Sequence, residues 1–227
     1  MAHALEHPRQ EVCGLVVARG SKCRVIRASN LAENPERDFD LDPRAWLEVA
    51  TDEDVLGIYH SHPNGPAIPS AADLASCEAT GLRWYIVSPG SGGYTSFEPS
   101  GYEAPYEGRP YVYGVHDCYA IVRDWFKREH GIALDPIDSE NYWWERGESL
   151  FLDNFEKQGF IQVLGEVPRK SDLSLIQISG PCPNHIVVHT GRGTILHHIA
   201  NRLSCEESWD GMYSRYATHL IRHKDLL

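Results

Sequence analysis

The sequence predicts two consecutive mixed domains, an α/β domain followed by an α+β domain. Three observations carry this reading. Strand-like segments alternate with short helical ones through residues 1–98. One long amphipathic helix precedes a run of strands in residues 108–227. Between them, PGSGGYTSFEPSGYEAPYEGRP (89–110) is rich in Gly, Pro, Ser and Tyr. That change of texture marks a linker over 99–107 and domains of 1–98 and 108–227.

The elements follow in order. MAHALEHPRQ predicts a short helix, frayed at the chain start and ending near Pro8. EVCGLVVA (11–18) and KCRVIRA (22–28) read as strands joined by a Gly20-Ser21 turn. Asp42-Pro43 opens a helix with Trp46, Val49 and Ala50 as its apolar set. VLGIYHSH (55–62) is a strand halted by Pro63, SAADLASCEA (70–79) a helix, LRWYIVS (82–88) a strand, and Tyr94–Phe97 a last short strand. In the second half a helix begins at Cys118. Its Ile121, Val122, Trp125 and Phe126 repeat at helical spacing, and Gly131 stops it. NYWWERGESLFLDNFEKQGF (141–160) reads as further helix. LSLIQIS (173–179), HIVVHT (185–190) and TILHHI (194–199) read as strands of an antiparallel meander, separated by PCPN and GRG turns.

Composition sets limits. The chain has 227 residues, a net charge of −11, 42% hydrophobic and 23% charged residues, which is ordinary for a globular domain and excludes whole-chain disorder. No apolar run approaches the roughly 20 residues of a membrane span, and no secretory signal is visible at the start. The charge is even, −6 over residues 1–98 and −5 over the rest. Nucleic-acid binding, which leans on clustered Lys and Arg, is therefore not expected. Neither half carries an excess of basic residues.

Twelve His and six Cys stand out. No CxxC pair occurs, which excludes a Cys-rich zinc finger, and nothing points to a disulfide framework. HALEH (3–7) fits an H-x-x-E-H zinc-peptidase pattern, but so close to the chain start it reads as helix surface.

The first cluster of chemistry is Glu11, His60, His62, Ser70 and Asp73. Strand alternation puts His60 and His62 on one face with Ile58. Two His and a carboxylate from Asp73 make a three-ligand zinc site with an open position for water. Such a water is acidified by the metal and needs a general base, for which Glu11 is the candidate. By itself, S-x-x-D is an ordinary helix capping box, and a lone H-x-H on a strand is more often structural. The full pattern, Glu11 with HSHPNGPAIPSAAD, resembles the signature of the JAMM (MPN-plus) metalloprotease family. The resemblance covers residues 1–98. It implies a cytidine-deaminase-like α/β sandwich, zinc on His60, His62 and Asp73, Glu11 as general acid/base, and Ser70 as the hydroxyl steadying the oxyanion.

The second cluster is Cys118, His185 and His197. A helix N-terminus lowers a thiol's pKa and favours the thiolate. An imidazole must then accept the thiol proton, itself oriented by a third polar group. His185 heads one strand and His197 lies on the next, so one imidazole can stand behind the other. His198 points to the opposite side by alternation, and Tyr111 or Tyr113 lines the site. Taken alone, a Cys at a helix start is usually a small buried residue. The other five Cys (13, 23, 77, 182 and 205) are read as structural. HDCYAIVRDWF followed by PNHIVVHTGRGTILHH resembles the NlpC/P60 family of cell-wall peptidases. Over residues 108–227 this implies a papain-like domain cutting peptide stems of peptidoglycan.

The two in this order resemble the tail tip assembly proteins of lambda-like phages. That implies a virion protein made in the host cytoplasm, peptidoglycan stems and other tail-tip proteins as partners, and a role in assembly, in local wall degradation during DNA entry, or both. A second reading is a chiefly structural assembly factor or plug with one or both sites silent. A third, an enzyme on ubiquitin-like or cysteine-biosynthesis conjugates, suits the first half alone and is disfavoured by the second.

Overall fold

The computed structural model describes residues 1–137 and 142–227. The chain divides into two compact units, Met1–Glu103 and Ala104–Leu227.

In the first unit, α1 (Ala2–Glu6) is not frayed. Ala4 is fully buried and packs with Val12 and Tyr59. His3 Nδ1 lies 2.8 Å from the Tyr59 hydroxyl and Glu6 pairs with Arg27, so HALEH is committed to packing. β1 (Cys13–Arg19) and β2 (Lys22–Ala28) form a hairpin about Gly20. Asp42 caps a 3-10 helix, Pro43–Glu48, by accepting from the Arg44 N–H. The tighter winding rotates its face, so Ala45 is buried in place of Trp46, which stays 41% exposed.

β3 (Asp54–Ser61), α2 (Ala71–Thr80), β4 (Arg83–Val87) and β5 (Tyr94–Phe97) complete a sheet of order β2-β1-β3-β4-β5. Only β3 and β4 are parallel, with α2 as the crossover between them. Leu15, Val17, Ile26, Ile58 and Trp84 form the core on one face with Ala45 and Cys77. Gly14 is required where it stands, because a Cβ there would run into the Ile26 carbonyl oxygen and the Tyr59 ring.

In the second unit, α3 (Cys118–His130) is capped by Asp117, whose carboxylate accepts from Ala120 N–H at 2.8 Å, and ends at Gly131 with φ +68°. Ile121, Val122, Trp125 and Phe126 make its buried stripe, as expected. The helix expected over 141–160 is interrupted. A 3-10 turn (Trp143–Arg146) and α4 (Leu150–Asn154) are separated by Gly147 at φ +83°, where right-handed helix cannot continue. Asn141 lies outside the described residues. β6 (Phe160–Gln162), β7 (Leu173–Ile176), β8 (His185–His189), β9 (Thr194–His197), β10 (Cys205–Ser208), α5 (Met212–Tyr216) and β11 (Ala217–His223) follow. The antiparallel sheet runs β10-β9-β8-β7-β11-β6. β7 to β10 are the meander, and β11 returns beside β7. α3 packs on one face over Leu173, Leu175, Ile186, Val188 and Leu196. Ile176, Val187, Ile195 and Tyr213 cluster separately on the other.

The segment between the units is hydrogen-bonded at each end. Ser100 and Tyr102 N–H groups donate to Glu78 of α2 at 2.5 and 2.9 Å. Ala104 is buried, and its carbonyl accepts from Arg109 and from Arg128 of α3. Among the described residues, no helix is long and apolar enough to cross a membrane.

Beneath β8, the buried His189 ring lies 2.8 Å from the Ser174 hydroxyl. Burial lowers its pKa to about 4, against a partial opposing pull from Asp172. The unfolded chain takes up the proton near pH 6.5 and the folded one does not, so stability is lost as pH falls from 6.5 towards 4. Between pH 7 and 5 this single group withdraws about 2 kcal/mol. His189→Gln is expected to flatten the pH dependence of the second unit's denaturant midpoint over that interval. An unchanged slope would show that His189 is not the group responsible.

Candidate active sites

The first site forms where the core face of the sheet reaches the end of its strands. The β1–β3 register pairs Cys13 with His60, and Ser61 N–H continues the ladder to Val12 O at 3.0 Å. Glu11, the residue before Val12, is near enough to His62 for the imidazole to pull on its carboxyl. His62 is held on β4 by its N–H to Val87 O at 2.9 Å. The capping box of α2 supplies the rest: Ser70 N–H donates to Asp73 Oδ2 at 2.7 Å, and Asp73 N–H donates to Ser70 Oγ at 3.1 Å. The capping reading and the site reading therefore describe the same atoms. Ser70 Oγ accepts in the cap and keeps its own O–H for another acceptor.

His60 Nε2 and His62 Nε2 are 3.0 Å apart. Asp73 Oδ1 lies 3.2 Å from the first and Oδ2 3.5 Å from the second. A tetrahedral metal with bonds of about 2.1 Å needs ligand atoms about 3.4 Å apart. Two imidazoles and a carboxylate at these spacings fit zinc. His62 Nδ1 is 2.9 Å from Pro66 O, which fixes its N–H there and turns the Nε2 lone pair to the site. Burial lowers the pKa of His60, and Phe39 stacks on its ring at 4.5 Å. Burial opposes ionisation of Asp73, but His60 and His62 hold its carboxyl well below the usual range. Glu11 is 7% exposed, and burial raises its pKa to about 8, helped by Asp73 and Asp38. The loop over 29–42, which brings Asp38 and Phe39 to the site, carries no motif that announces it.

In the second unit, His185 Nε2 lies 3.0 Å from His197 Nδ1, a diagonal contact between β8 and β9. Both rings are buried. Cys118 starts α3 with its sulfur facing the N–H of Ile186, the residue after His185. Among the described residues no hydrogen bond joins the thiol to either imidazole. The expected acidic thiol is not what the structure shows. Burial, reinforced by the Asp117 carboxylate, pushes Cys118 up to about 12 against the pull of nearby backbone N–H groups. Asp117 caps the helix and offsets the positive end on which the expectation rested. Burial likewise lowers His185 to about 3. Burial thus favours the neutral form of both thiol and imidazole.

His198 does turn away from this pair. Its Nε2 lies 3.1 Å from Arg202 O and its ring meets Tyr111 edge-on at 5.2 Å. Tyr111 is near enough to Cys118 for the thiol to raise its pKa, although burial is the larger cause. Tyr113 packs against the α3 core. Cys205, read from sequence as structural, stands opposite His197 in the β9–β10 register, with its sulfur 3.9 Å from His197 Nε2 and 3.1 Å from Glu207 Oε1. Glu207 Oε1 is 3.6 Å from the same imidazole nitrogen. Neither residue belongs to a local motif; only the strand register brings them in.

Residues 1–99 match the family of prokaryotic homologs of the JAB domain, and residues 108–222 match the NlpC/P60 family. The whole chain is 33% identical to the tail tip assembly protein K of Escherichia phage N15, covering 93% of that protein. It is 31% identical over 81% of its length to the tail tip assembly protein K of Escherichia phage lambda, covering 89% of it. A segment making up 45% of the chain is 34% identical to a desampylase of Haloferax volcanii, covering 82% of that protein.

The neutral thiol has a direct readout. Iodoacetamide labelling followed by peptide mass spectrometry is expected to modify exposed Cys23 first at pH 7, with Cys118 gaining reactivity only well above pH 9. Labelling of Cys118 that is already maximal at pH 6 would mean a preformed thiolate–imidazolium pair.

Proposed function

The chain belongs to the NlpC/P60 family and, over its full length, to the phage tail tip assembly proteins K, and from that premise we propose that its second unit hydrolyses peptide stems of peptidoglycan and its first is a zinc peptidase. The observation that carries the first claim is the 3.0 Å His185–His197 contact beside a thiol at a helix start. His185 Nε2–H donates to His197 Nδ1, which leaves Nδ1 as the nitrogen that takes the Cys118 proton as sulfur attacks the carbonyl carbon. His185 then passes that proton to the leaving amine. Water, deprotonated by His185, cleaves the thioester and frees the thiol. Backbone N–H groups at the start of α3, which face the thiol, would receive the oxyanion. Because both partners rest neutral, proton transfer accompanies attack rather than preceding it.

In the first unit His60, His62 and Asp73 would hold zinc, which supplies a Lewis acid and an acidified water. Glu11, kept protonated longer than an ordinary carboxyl by burial, is placed to exchange a proton with that water. Ser70 O–H, left over from the cap, donates to the oxygen where charge develops. The substrate of this unit is a tail protein or a peptide cross-link. Together the activities serve tail assembly and local opening of the wall, with the assembled tail tip placing a chain of net charge −11 at its substrate.

Purified protein is expected to release peptides from peptidoglycan, and Cys118→Ala to lower the rate at least about 10³-fold. Wild type and Cys118→Ala behaving alike would replace this reading with a structural assembly factor. Metal analysis is expected to find about one tightly held zinc per chain, lost in the His60→Ala/His62→Ala double variant. A value near zero after metal-replete purification would overturn the zinc assignment.

A further inference from the structure

The strand register collects a second set of metal-type donors around His197. β10 pairs antiparallel with β9, Cys205 opposite His197. Alternation then puts Glu207 on the same face. His197 Nε2, Cys205 Sγ and Glu207 Oε1 converge, with separations of 3.9, 3.6 and 3.1 Å. These are close to the edges of a tetrahedron around a zinc-sized ion with one sulfur ligand, about 3.4–3.8 Å. An imidazole, a thiol and a carboxylate are a soft-to-borderline donor set, and among the described residues they form the second of two such convergences.

We propose that His197, Cys205 and Glu207 bind a thiophilic divalent cation such as zinc, and that the bound cation switches off the Cys118 site. The switching half of the claim rests on the peptidase reading above. In the working arrangement His185 carries its proton on Nε2, His197 accepts it on Nδ1, and His197 keeps its own proton on Nε2 towards Glu207 and Cys205. A cation on His197 Nε2 needs that lone pair. The His197 proton then moves to Nδ1 and donates to His185 Nε2, which becomes the acceptor. The His185 proton moves to Nδ1, the nitrogen that must accept from Cys118. The two rings hold two protons before and after, and only the Cys205 thiol proton leaves, to solvent. The base is lost with no atom of the Cys118 site displaced.

Arg202 sets the affinity. Its Nη2 lies 2.5 Å from Glu207 Oε1, and the side chain is 53% exposed. A cation must displace this guanidinium, which has room to swing outward. The site is therefore weaker than the His60–His62–Asp73 centre and fills after it.

Cobalt(II) separates the two centres, because only the second offers sulfur. Titrating the full chain past its first equivalent of cobalt(II) is expected to raise a thiolate-to-cobalt charge-transfer band in the near ultraviolet. The band should be absent in Cys205→Ala and need at least tenfold more metal in Glu207→Gln. In parallel, zinc is expected to lower peptide release from peptidoglycan at least tenfold, reversibly with a chelator, in wild type but not in Cys205→Ala. Absence of the band in wild type, or its persistence in Cys205→Ala, overturns the site. Equal zinc inhibition of wild type and Cys205→Ala overturns the switch. If metal-free wild type releases no peptides, the peptidase reading has failed, and the charge-transfer band still decides the site.

Discussion

Removing an imidazole from water takes away what would hold its proton, and this desolvation governs both halves of the chain. His60 and His185 are each buried at the end of a strand, and burial lowers the pKa of each. A buried neutral imidazole still has a donor and an acceptor to satisfy. In the first unit His60 Nε2 meets a second imidazole and a carboxylate, His62 and Asp73, while its buried Nδ1 finds no hydrogen-bond partner among the described residues. In the second the partner is His197. Burial thus sets His60 in a metal-type cluster in one unit and His185 against a second imidazole in the other. The difference lies in the group that approaches: a capped carboxylate on α2, a thiol on α3.

Strand register brings these groups together. Leu15, Val17 and Ile58 face the core of the first sheet, and the same alternation continued along β3 carries His60 and His62. Apolar packing thus positions the polar set, because slipping β3 by one residue would turn both imidazoles away and unpack Ile58 at once. In the second sheet, register runs through β8, β9 and β10 and carries His185, His197 and Cys205. Helix capping completes each site. Ser70 and Asp73 satisfy the first N–H groups of α2 while Asp73 faces the imidazoles, so fold and chemistry use the same side chains.

What could be read in the sequence follows from range. H-x-H, S-x-x-D and the Cys at a helix start are local patterns, and alternation translates them directly into shared faces. The capping box, the stripe on α3 and the stop at Gly131 are local for the same reason. β11 and β6 were not anticipated, because their pairing depends on chain returning beside β7 after the meander. Cys205 and Glu207 were invisible as functional neighbours, since only the β9–β10 register places them by His197. The helix read through 141–160 ignored Gly147, whose positive φ divides it. The thiol shift runs upward because burial outweighs the pull of the helix end, with the capping carboxylate adding to it.

That last point bears on how the second site works. A free helix N-terminus offers about half a unit of positive charge, enough to favour a thiolate. Asp117 places a full negative charge there and accepts two of the N–H groups nearby, from Gly114 and Ala120. The carboxylate stabilises the helix and the turn before it while raising the cost of ionising Cys118. On the proposed mechanism activation comes from His185, itself made a weak base by burial. A weak base facing a weak acid transfers a proton only when the product ion pair is stabilised as it forms. His197 can share the charge arriving on His185, and Glu207, 3.6 Å from the far nitrogen of His197, lies in line to balance it. On the proposed mechanism, His185 and His197 would therefore carry charge away from the thiol towards the Glu207 carboxylate.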